Sequence, residues 1–207
     1  MLTKKTICAN IICMNKEKII KQTIEEHAQA ISEIGKNIET IISISDLIVE
    51  TIGSKKTVYI AGNGGSASDA QHFAAELIGR FQKERGAYPS VCLNTDTSIL
   101  TAVGNDYGFD KIFARQLEGL GKQDEVFIGI STSGNSENIV LAMEAAKKQG
   151  LKTIALLGRN GGKIKNMVDY PLVVSHEETA RTQEAHITII HILCKIIEEE
   201  LSERSLG

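Results

Sequence analysis

The residues with the clearest catalytic chemistry are a histidine and a glutamate one helical turn apart. His72 and Glu76 lie four positions apart in a predicted helix over 66–81, so both side chains project from one helix face. A carboxylate can remove a proton from the carbon beside a carbonyl group, and a second group can shuttle protons between the two oxygens. In an anonymous helix the same spacing more often marks a solvated ion pair. A glycine-rich turn directly before this helix favours the functional interpretation.

A second set of candidate groups lies in a predicted helix over 179–201, which contains Gln183, His186 and His191. At about 100° per residue, His191 is about 80° from Gln183 around the helix, and His186 is about 60° away on the other side. The two histidines therefore diverge by about 140°. Only one of them is expected to share a pocket with Gln183, and periodicity does not choose between them.

The glycine-rich turn "GNGGS" (62–66) follows a predicted strand that ends at Ala61. It has neither the G-x-G-x-x-G spacing of dinucleotide-binding turns nor the G-K-[ST] ending of a P-loop. Gly64 and Gly65 would let a ligand approach the backbone closely, and Ser66 is predicted to be the N-cap of the next helix. The turn therefore predicts a ligand site that is not a nucleotide site.

A second turn, "STSGNSEN" (131–138), follows the predicted strand "EVFIGI". Its four hydroxyl groups belong to Ser131, Thr132, Ser133 and Ser136. Backbone N–H groups and the positive end of a helix dipole attract an anion at such a turn. The turn contains no Lys or Arg, which favours a monophosphate over a polyphosphate with magnesium. One such turn alone would usually be ordinary capping, but two at neighbouring strand ends favour a ligand site.

The elements that must position these groups alternate along the chain. Short apolar strands are predicted at 57–61, 90–93, 125–130, 152–157 and 170–174, separated by helices at 66–81, 109–119, 136–149 and 179–201 and a short turn near 97–103. Apolar strands that alternate with helices predict an α/β fold with a parallel sheet of about five strands, covered by helices on both faces. Ligands bind such sheets beyond the carboxyl ends of the strands, where both turns lie.

A long amphipathic helix is predicted before the first strand. Its apolar positions follow alternating three- and four-residue steps, with His27 and Ser45 as polar interruptions: Ile20, Ile24, Ile31, Ile34, Ile38, Ile41 and Ile48. This seam is more apolar than one small domain requires, so we expect part of it to pack against another subunit. Residues 1–19 are predicted to be an N-terminal extension, and residues 20–207 a single domain that includes this packing helix.

Composition excludes several other function classes. The chain of 207 residues has a net charge of -3 and no Lys/Arg-rich face, so nucleic acid is not an expected partner. No apolar stretch reaches the roughly 20 residues needed to span a bilayer, and the N-terminal apolar run is too interrupted for a secretion signal. Cys8, Cys13, Cys92 and Cys194 lack the spacing of a structural zinc site. They are interpreted as free thiols, which predicts a cytoplasmic protein.

Five motifs, "GNGGS", "HFAAEL", "VGNDYGF", "ISTSGNS" and "RTQEAH", occur in an order and spacing that resembles the sugar isomerase (SIS) domain family, and within it most closely the phosphoheptose isomerases. The resemblance implies reversible isomerisation of sedoheptulose 7-phosphate to D-glycero-D-manno-heptose 7-phosphate through an enediol, for bacterial lipopolysaccharide, capsule or glycoprotein. It implies Glu76 as the base and His191 as the acid, and leaves His186 outside the immediate site. The implied substrate contacts are Asn63, Gly64, Gly65, Ser66, Glu76, Asn105, Asp106, Ser131, Thr132, Ser133, Ser136 and Gln183.

The same resemblance implies a zinc ion and a homotetramer with active sites near the subunit boundaries. His72, Glu76, Gln183 and His191 are the implied ligands; two imidazoles and a carboxylate suit zinc, although an amide oxygen is an uncommon fourth ligand. A carboxylate bound to zinc is a poorer base, so the role of the metal stays open. One departure is Ala180, where some phosphoheptose isomerases have an aspartate.

The alternative function is that of a non-catalytic SIS scaffold that binds the replication initiator protein. In such relatives the glutamate and the distal histidine are typically replaced. Because Glu76 and His191 are both present here, the resemblance favours an enzyme.

Overall fold

Five parallel strands form one sheet in the computed structural model, which describes the backbone of residues 4–204 and the side chains of residues 15–203. The strands are β1 Val58–Gly62, β2 Ser90–Cys92, β3 Val126–Ser131, β4 Lys152–Gly158 and β5 Tyr170–Val174. Their spatial order is β2-β1-β3-β4-β5, with every neighbouring pair parallel. The chain therefore reverses its direction of winding between β1 and β3. In open α/β sheets this is where a ligand crevice forms.

Helices cover both faces of the sheet. They are α1 Lys4–Ile34, α2 Ile38–Gly53, α3 Gly65–Ile78, α4 Thr97–Tyr107, α5 Ala114–Leu120, α6 Glu137–Lys148 and α7 Thr179–Arg204, with short 3-10 segments at 35–37, 109–111 and 164–166. Successive residues of β1 point to opposite faces: Ile60 belongs to the core shared with α2, α3 and α7, and Tyr59 to the core shared with α5 and α6. All residues of β1 and β3 are buried, as expected for a strand covered on both sides.

The predicted α/β fold and the five predicted strands are confirmed, with boundaries that shift by about one residue. Two helix predictions were wrong in detail. The short helical turn expected near 97–103 is helical but longer than predicted, since α4 runs to Tyr107. The side chain of Asp96 caps it by accepting a hydrogen bond of 2.9 Å from the amide of Ile99. The helix expected over 109–119 begins as a 3-10 turn, and its regular part is α5.

The long N-terminal helix is present, but it is interrupted. A 3-10 turn at Gly35–Asn37 separates α1 from α2. Within the predicted seam, Ile34, Ile41 and Ile48 are buried, whereas Ile20, Ile24 and Ile38 are more than half exposed. Helix α1 runs without a break through the predicted boundary between residues 19 and 20. That boundary stays a prediction, and residues 1–3 lie outside the described residues.

Helix α7 joins the N-terminal helices to α3, since it packs against α1, α2 and α3. Polar contacts reinforce this packing: Nδ1 of His27 lies 2.7 Å from a carboxylate oxygen of Glu184, and Arg181 donates to the carbonyl of Thr23 at 3.0 Å. Cys92 and Cys194 are free, as predicted, and both are buried, while the side chains of Cys8 and Cys13 are outside the described part. None of the helices in the described range combines the length and apolarity needed to cross a membrane.

Candidate active site

Most of the predicted site residues gather at the carboxyl edge of the sheet. Strand β1 leads into residues 62–66, here named the glycine turn, and β3 leads into residues 131–136, here named the hydroxyl loop. Because β1 and β3 are direct neighbours, the two segments lie side by side. Helix α7 brings Gln183 to the same place, since a Cβ atom on Gly65 would collide with the Gln183 amide.

The glycine turn allows α3 to begin immediately after β1. Gly64 is the N-cap residue, with a φ of 56° that favours glycine, and α3 starts at Gly65. The prediction that Ser66 is the N-cap was therefore wrong, and Ser66 is instead buried in the first helical turn. The Gln183 amide packs directly on Gly65, in the space that a Cβ atom would need. The turn therefore lies against Gln183 as well as leading into α3.

A pair of asparagines links the glycine turn to the hydroxyl loop. The side-chain amide of Asn63 donates to Oδ1 of Asn138 at 2.8 Å, and the amide of Asn138 donates back to Oδ1 of Asn63 at 2.8 Å. Asn138 is 2% exposed, so water cannot readily compete for either hydrogen bond. Sequence reasoning missed Asn138, although its position in the first turn of a helix after a strand end was a usable signal.

Asn94 holds the end of β1 in a similar way. Its side-chain oxygen accepts from the Gly62 amide at 3.1 Å, and its amide donates to the Gly62 carbonyl at 2.9 Å. The side chain thereby satisfies the last backbone groups of β1 where β2 has already ended. Asn94 was also missed, although it follows β2 at the same sheet edge as the two turns.

The hydroxyl loop turns its serines toward one another. Oγ of Ser131 lies 3.0 Å from Oγ of Ser136 and 3.5 Å from Oγ of Ser133. Ser136 is the N-cap residue of α6, but its side chain makes no cap hydrogen bond. The first turn of α6 therefore presents an N-terminus without a side-chain cap beside a cluster of hydroxyl donors, which is an arrangement that suits a phosphate.

A third strand end supports this loop. Residues 158–163, here named the β4 turn, follow β4 and pack on Gly134, where a Cβ atom would collide with the carbonyl of Gly161. The amide of Ile164 donates to the Gly134 carbonyl at 3.0 Å, and the amide of Lys163 donates to the Asn135 side chain at 3.0 Å. The sequence "GRNGGK" is also a glycine-rich turn at the end of a predicted strand, like the glycine turn. Only the glycine turn and the hydroxyl loop were predicted to form the ligand site.

His72, Glu76 and His191 meet in one cluster. Nε2 of His72 lies 3.1 Å from Oε1 of Glu76 and 3.4 Å from Nε2 of His191. The His191 ring stands edge-on to His72, with ring centroids 5.1 Å apart, and its other neighbour is the ring of Phe81, at 5.7 Å. The structure thus brings together a carboxylate and an imidazole that lie far apart in the sequence. Phe81 was not predicted as part of the site.

His186 lies elsewhere. It is fully buried, and its Nε2 atom is 3.1 Å from the carbonyl oxygen of Leu157 in β4. Burial lowers the pKa of His186 to about 4, and the bond to Leu157 opposes this only in part, so its ring is neutral near pH 7. The divergence of His186 and His191 predicted from helix geometry agrees with these separate environments.

Asp69 adds a carboxyl group that sequence reasoning missed. It lies on α3 between the glycine turn and His72, and its Oδ2 atom is buried without a hydrogen-bond partner among the described residues. Burial raises the pKa of Asp69 to about 6, although the nearby His72 acts in the opposite direction.

Asn105 and Asp106 do not join the cluster in this chain. They lie at the end of α4, both exposed, and the amide of Asn105 donates to Oδ1 of Asp106 at 2.8 Å. Neither side chain makes a hydrogen bond to the glycine turn or the hydroxyl loop within the described residues. Ala180, the departure noted above, is exposed in the first turn of α7.

The side chains fit a zinc ion only in part. Tetrahedral ligands at the usual zinc distances are about 3.3 Å apart, close to the two separations measured around Nε2 of His72. However, no group of three or more His, Cys, Asp or Glu side chains within the described residues is arranged as a complete metal site. The donor chemistry and two pair distances therefore suit zinc, while full coordination would require side-chain adjustment.

Comparisons with known proteins agree with this architecture. A model of the SIS domain matches residues 18–158. The phosphoheptose isomerase of Citrifermentans bemidjiense is 50% identical over 183 residues, which cover 88% of this chain and 95% of that protein. The phosphoheptose isomerase of Sulfurimonas denitrificans is 54% identical over 183 residues, which cover 88% of this chain and 90% of that protein.

A solved structure shows the same relationship. The phosphoheptose isomerase of Neisseria gonorrhoeae superimposes with a TM-score of 0.83 at 41% identity, and the match covers 89% of this chain and 98% of that chain. Both the sequence and the fold match over nearly the whole length of these relatives. This chain therefore belongs to the SIS domain family and, within it, to the phosphoheptose isomerases.

Proposed function

We propose that this protein interconverts sedoheptulose 7-phosphate and D-glycero-D-manno-heptose 7-phosphate. The observation that carries the proposal is the contact of Glu76 and His191 with the same ring nitrogen of His72. A carboxylate and an imidazole at one point, in a chain whose hydroxyl loop has donors that suit an anion, meet the needs of an aldose–ketose isomerase. The relatives named above give the substrate class.

In the proposed mechanism, the Glu76 carboxylate removes a proton from C1 of the ketose, while His191 donates a proton to the carbonyl oxygen on C2. The electron pair of the broken C–H bond forms the C1–C2 double bond of a cis-enediol. Glu76 then returns its proton to C2, and His191 takes the proton of the C1 hydroxyl, which leaves an aldehyde at C1. Both groups end in their starting protonation states.

The hydroxyl loop would hold the phosphate at the far end of the sugar. Ser131, Thr132, Ser133 and Ser136 supply hydroxyl donors, and α6 adds the positive end of its dipole. The donors are neutral, so they orient a monophosphate without binding it as tightly as a cluster of arginines would. Asn63 and Asn138 would keep the phosphate end at a fixed distance from the reacting carbons, because they link the two turns.

The proposed activity is tested by incubating the purified protein with sedoheptulose 7-phosphate and following the aldose product. We expect turnover that reaches the same equilibrium from either substrate. A matched reaction with a six-carbon ketose phosphate reports how strictly the site requires seven carbons. No turnover, together with capture of a replication initiator protein, would instead support the non-catalytic scaffold.

We also propose that His72, Glu76, Gln183 and His191 hold a zinc ion in the resting protein, and that Glu76 and His191 leave the metal before they act as base and acid. The support is the chemistry of these donors and the two short separations around Nε2 of His72. When bound, zinc supplies Lewis-acid polarisation of a substrate oxygen.

Zinc binding is expected to raise the midpoint of thermal unfolding, because an ion that binds only the folded state stabilises it. Dialysis against a chelator should lower the midpoint, and added zinc should restore it. The variant His72→Ala should lose this response, whereas His176→Ala, which changes a histidine on the loop before α7, should keep it. An identical response in both variants would contradict the assignment.

The assembly is proposed to be a cytoplasmic homotetramer that supplies heptose for lipopolysaccharide, capsule or glycoprotein. The exposed apolar side chains of Ile20, Ile24 and Ile38 support packing between subunits, and the unpaired Cys92 and Cys194 support a reducing compartment. Sedimentation equilibrium should give the mass of four chains. A monomer at micromolar concentration would overturn the assembly proposal.

A further inference from the structure

A buried ion pair lies directly behind the cluster of Glu76, His72 and His191. Nε of Arg85 is 3.3 Å from Oε1 of Glu198, and the two side chains are only 8% and 3% exposed. Arg85 lies in the segment between α3 and β2, and Glu198 lies on α7, two helical turns after His191. The pair therefore joins the segment after the Glu76 helix to the helix that carries His191.

Arg85 acts on the end of α3. Its guanidinium donates to the carbonyl oxygens of Glu76 at 2.7 Å and Leu77 at 2.9 Å, and it also donates to the carbonyls of Gly79 and Gly86. The last carbonyls of a helix have no partner within the helix, so a cation at this end both completes hydrogen bonds and complements the dipole. The Arg85 guanidinium therefore fixes the helical turn from which the Glu76 side chain projects.

Glu198 holds the segment that follows α3. Its carboxylate accepts hydrogen bonds from the amides of Phe81 at 3.1 Å, Gln82 at 2.8 Å and Lys83 at 2.8 Å. Burial alone would raise the pKa of Glu198, but these amides and Arg85 outweigh it and hold the pKa below its ordinary value. The carboxylate is thus charged near pH 7 and its acceptor sites are used.

The segment that Glu198 holds also reaches His191 directly. Phe81, whose amide is bonded to Glu198, places its ring 5.7 Å from the ring of His191 at an angle of 31°. The His191 ring therefore contacts the rings of both Phe81 and His72. The buried Glu198 carboxylate consequently contacts both sides of the cluster. It binds Arg85, which donates to the end of the Glu76 helix, and it accepts from the amide of Phe81, whose ring contacts His191.

We propose that the Arg85–Glu198 ion pair is a positioning device that sets the relative placement of Glu76 and His191. The inference rests on the proposed isomerase function. Neither residue is a predicted substrate contact, and neither belongs to the glycine turn or the hydroxyl loop, which hold most of the groups predicted to bind substrate. Its loss should therefore lower kcat and leave KM nearly unchanged, because a misplacement of about 1 Å can cost about 100-fold in the chemical step.

The test compares Glu198→Gln with Glu125→Gln. Glu125 is a matched control, because it is also buried and also accepts two backbone amides, from Thr57 and Lys122, but at the opposite edge of the sheet. Steady-state kinetics are measured at least 20 °C below each variant's unfolding midpoint, so that loss of folded protein does not enter. Arg85→Lys, which keeps the charge but loses the fork of hydrogen bonds, is measured in parallel.

We expect Glu198→Gln and Arg85→Lys to lower kcat at least tenfold with KM within threefold of the wild type, while Glu125→Gln changes both by less than twofold. Equal losses in Glu198→Gln and Glu125→Gln, or a loss confined to KM, would overturn the inference. If Glu198→Gln does not fold, Arg85→Lys decides by the same criteria.

Failure of the positioning role and failure of the proposed isomerase function give different results. A wild type that does not isomerise sedoheptulose 7-phosphate refutes the function, and crystal structures of the wild type and Arg85→Lys then decide the positioning role. The inference requires the separation of 3.4 Å between the Nε2 atoms of His191 and His72 to lengthen in the variant. An unchanged separation would overturn it.

Discussion

Replacing Glu76 with glutamine is expected to reduce turnover about 1000-fold while sedoheptulose 7-phosphate still binds, since general base catalysis contributes about 100- to 10,000-fold. The amide is nearly the same size as the carboxylate and can still form a hydrogen bond with His72, so the cluster should keep its shape. It cannot accept a proton from carbon. The measurement is kcat from steady-state kinetics, with substrate affinity determined separately by isothermal titration calorimetry.

A suitable control is Glu84→Gln, which makes the same chemical change on a glutamate whose side chain is 92% exposed. This variant should retain wild-type kcat and affinity. A Glu76→Gln protein that keeps kcat within tenfold of the wild type would exclude Glu76 as the base. Loss of affinity along with turnover would instead indicate that the carboxylate holds the ligand.

Replacing Gly134 with alanine is expected to disrupt the hydroxyl loop. Gly134 has a φ of 64°, and a Cβ atom there would meet the backbone of Gly161, which cannot rotate away as a side chain could. The left-handed backbone costs about 1–2 kcal/mol for an alanine, and overpacking costs about 1–3 kcal/mol more. We expect denaturant unfolding to show a loss of about 2–5 kcal/mol. The KM for sugar phosphate should rise at least tenfold, because each hydrogen bond to a charged group is worth about 1.5–3 kcal/mol.

Gly150→Ala separates these two causes. Gly150 has a similar φ of 77°, but the nearest atom to an added Cβ is Cγ of the Gln123 side chain at 3.2 Å, and the Gln123 backbone is no closer than 3.5 Å. The residue also lies at the other edge of the sheet, just before β4. It should lose stability and keep its KM. Equal changes of KM in the two variants would show that general destabilisation, not the shape of the hydroxyl loop, weakens phosphate binding.

The overall fold could be predicted well from the sequence. Buried parallel strands are continuous apolar runs, so all five were visible, and the strand-end rule placed the glycine turn and the hydroxyl loop at one edge. The helices were harder. The helix break at Gly35–Asn37 contains no proline that would have predicted it. The full extent of α4 could be predicted only by recognising Asp96 as its N-cap. In both cases local capping and backbone geometry decided the boundary.

The site was predictable only where residue type and spacing carried the signal. His72 and Glu76 share a helix face, so their proximity followed from spacing, whereas the contact between His72 and His191 depended on the resemblance to a family. Asn138 illustrates the limit, because its partner Asn63 is 75 residues away along the chain. Periodicity describes one element at a time. It contains no information on which polar groups face each other across two elements.

Helix α7 is the last described element in chain order, yet it packs on α1, α2 and α3. On a ribosome that adds about 5–20 residues per second, the stretch between α1 and α7 takes roughly 10–30 s to emerge. Throughout that interval the apolar faces of α1 and α2 that α7 will cover stay exposed to solvent. We expect them to bind chaperones or to associate with other chains during that time. The sheet itself is completed only when β5 emerges, shortly before α7. Because α7 carries His191, the nascent chain cannot act as an isomerase until this helix docks.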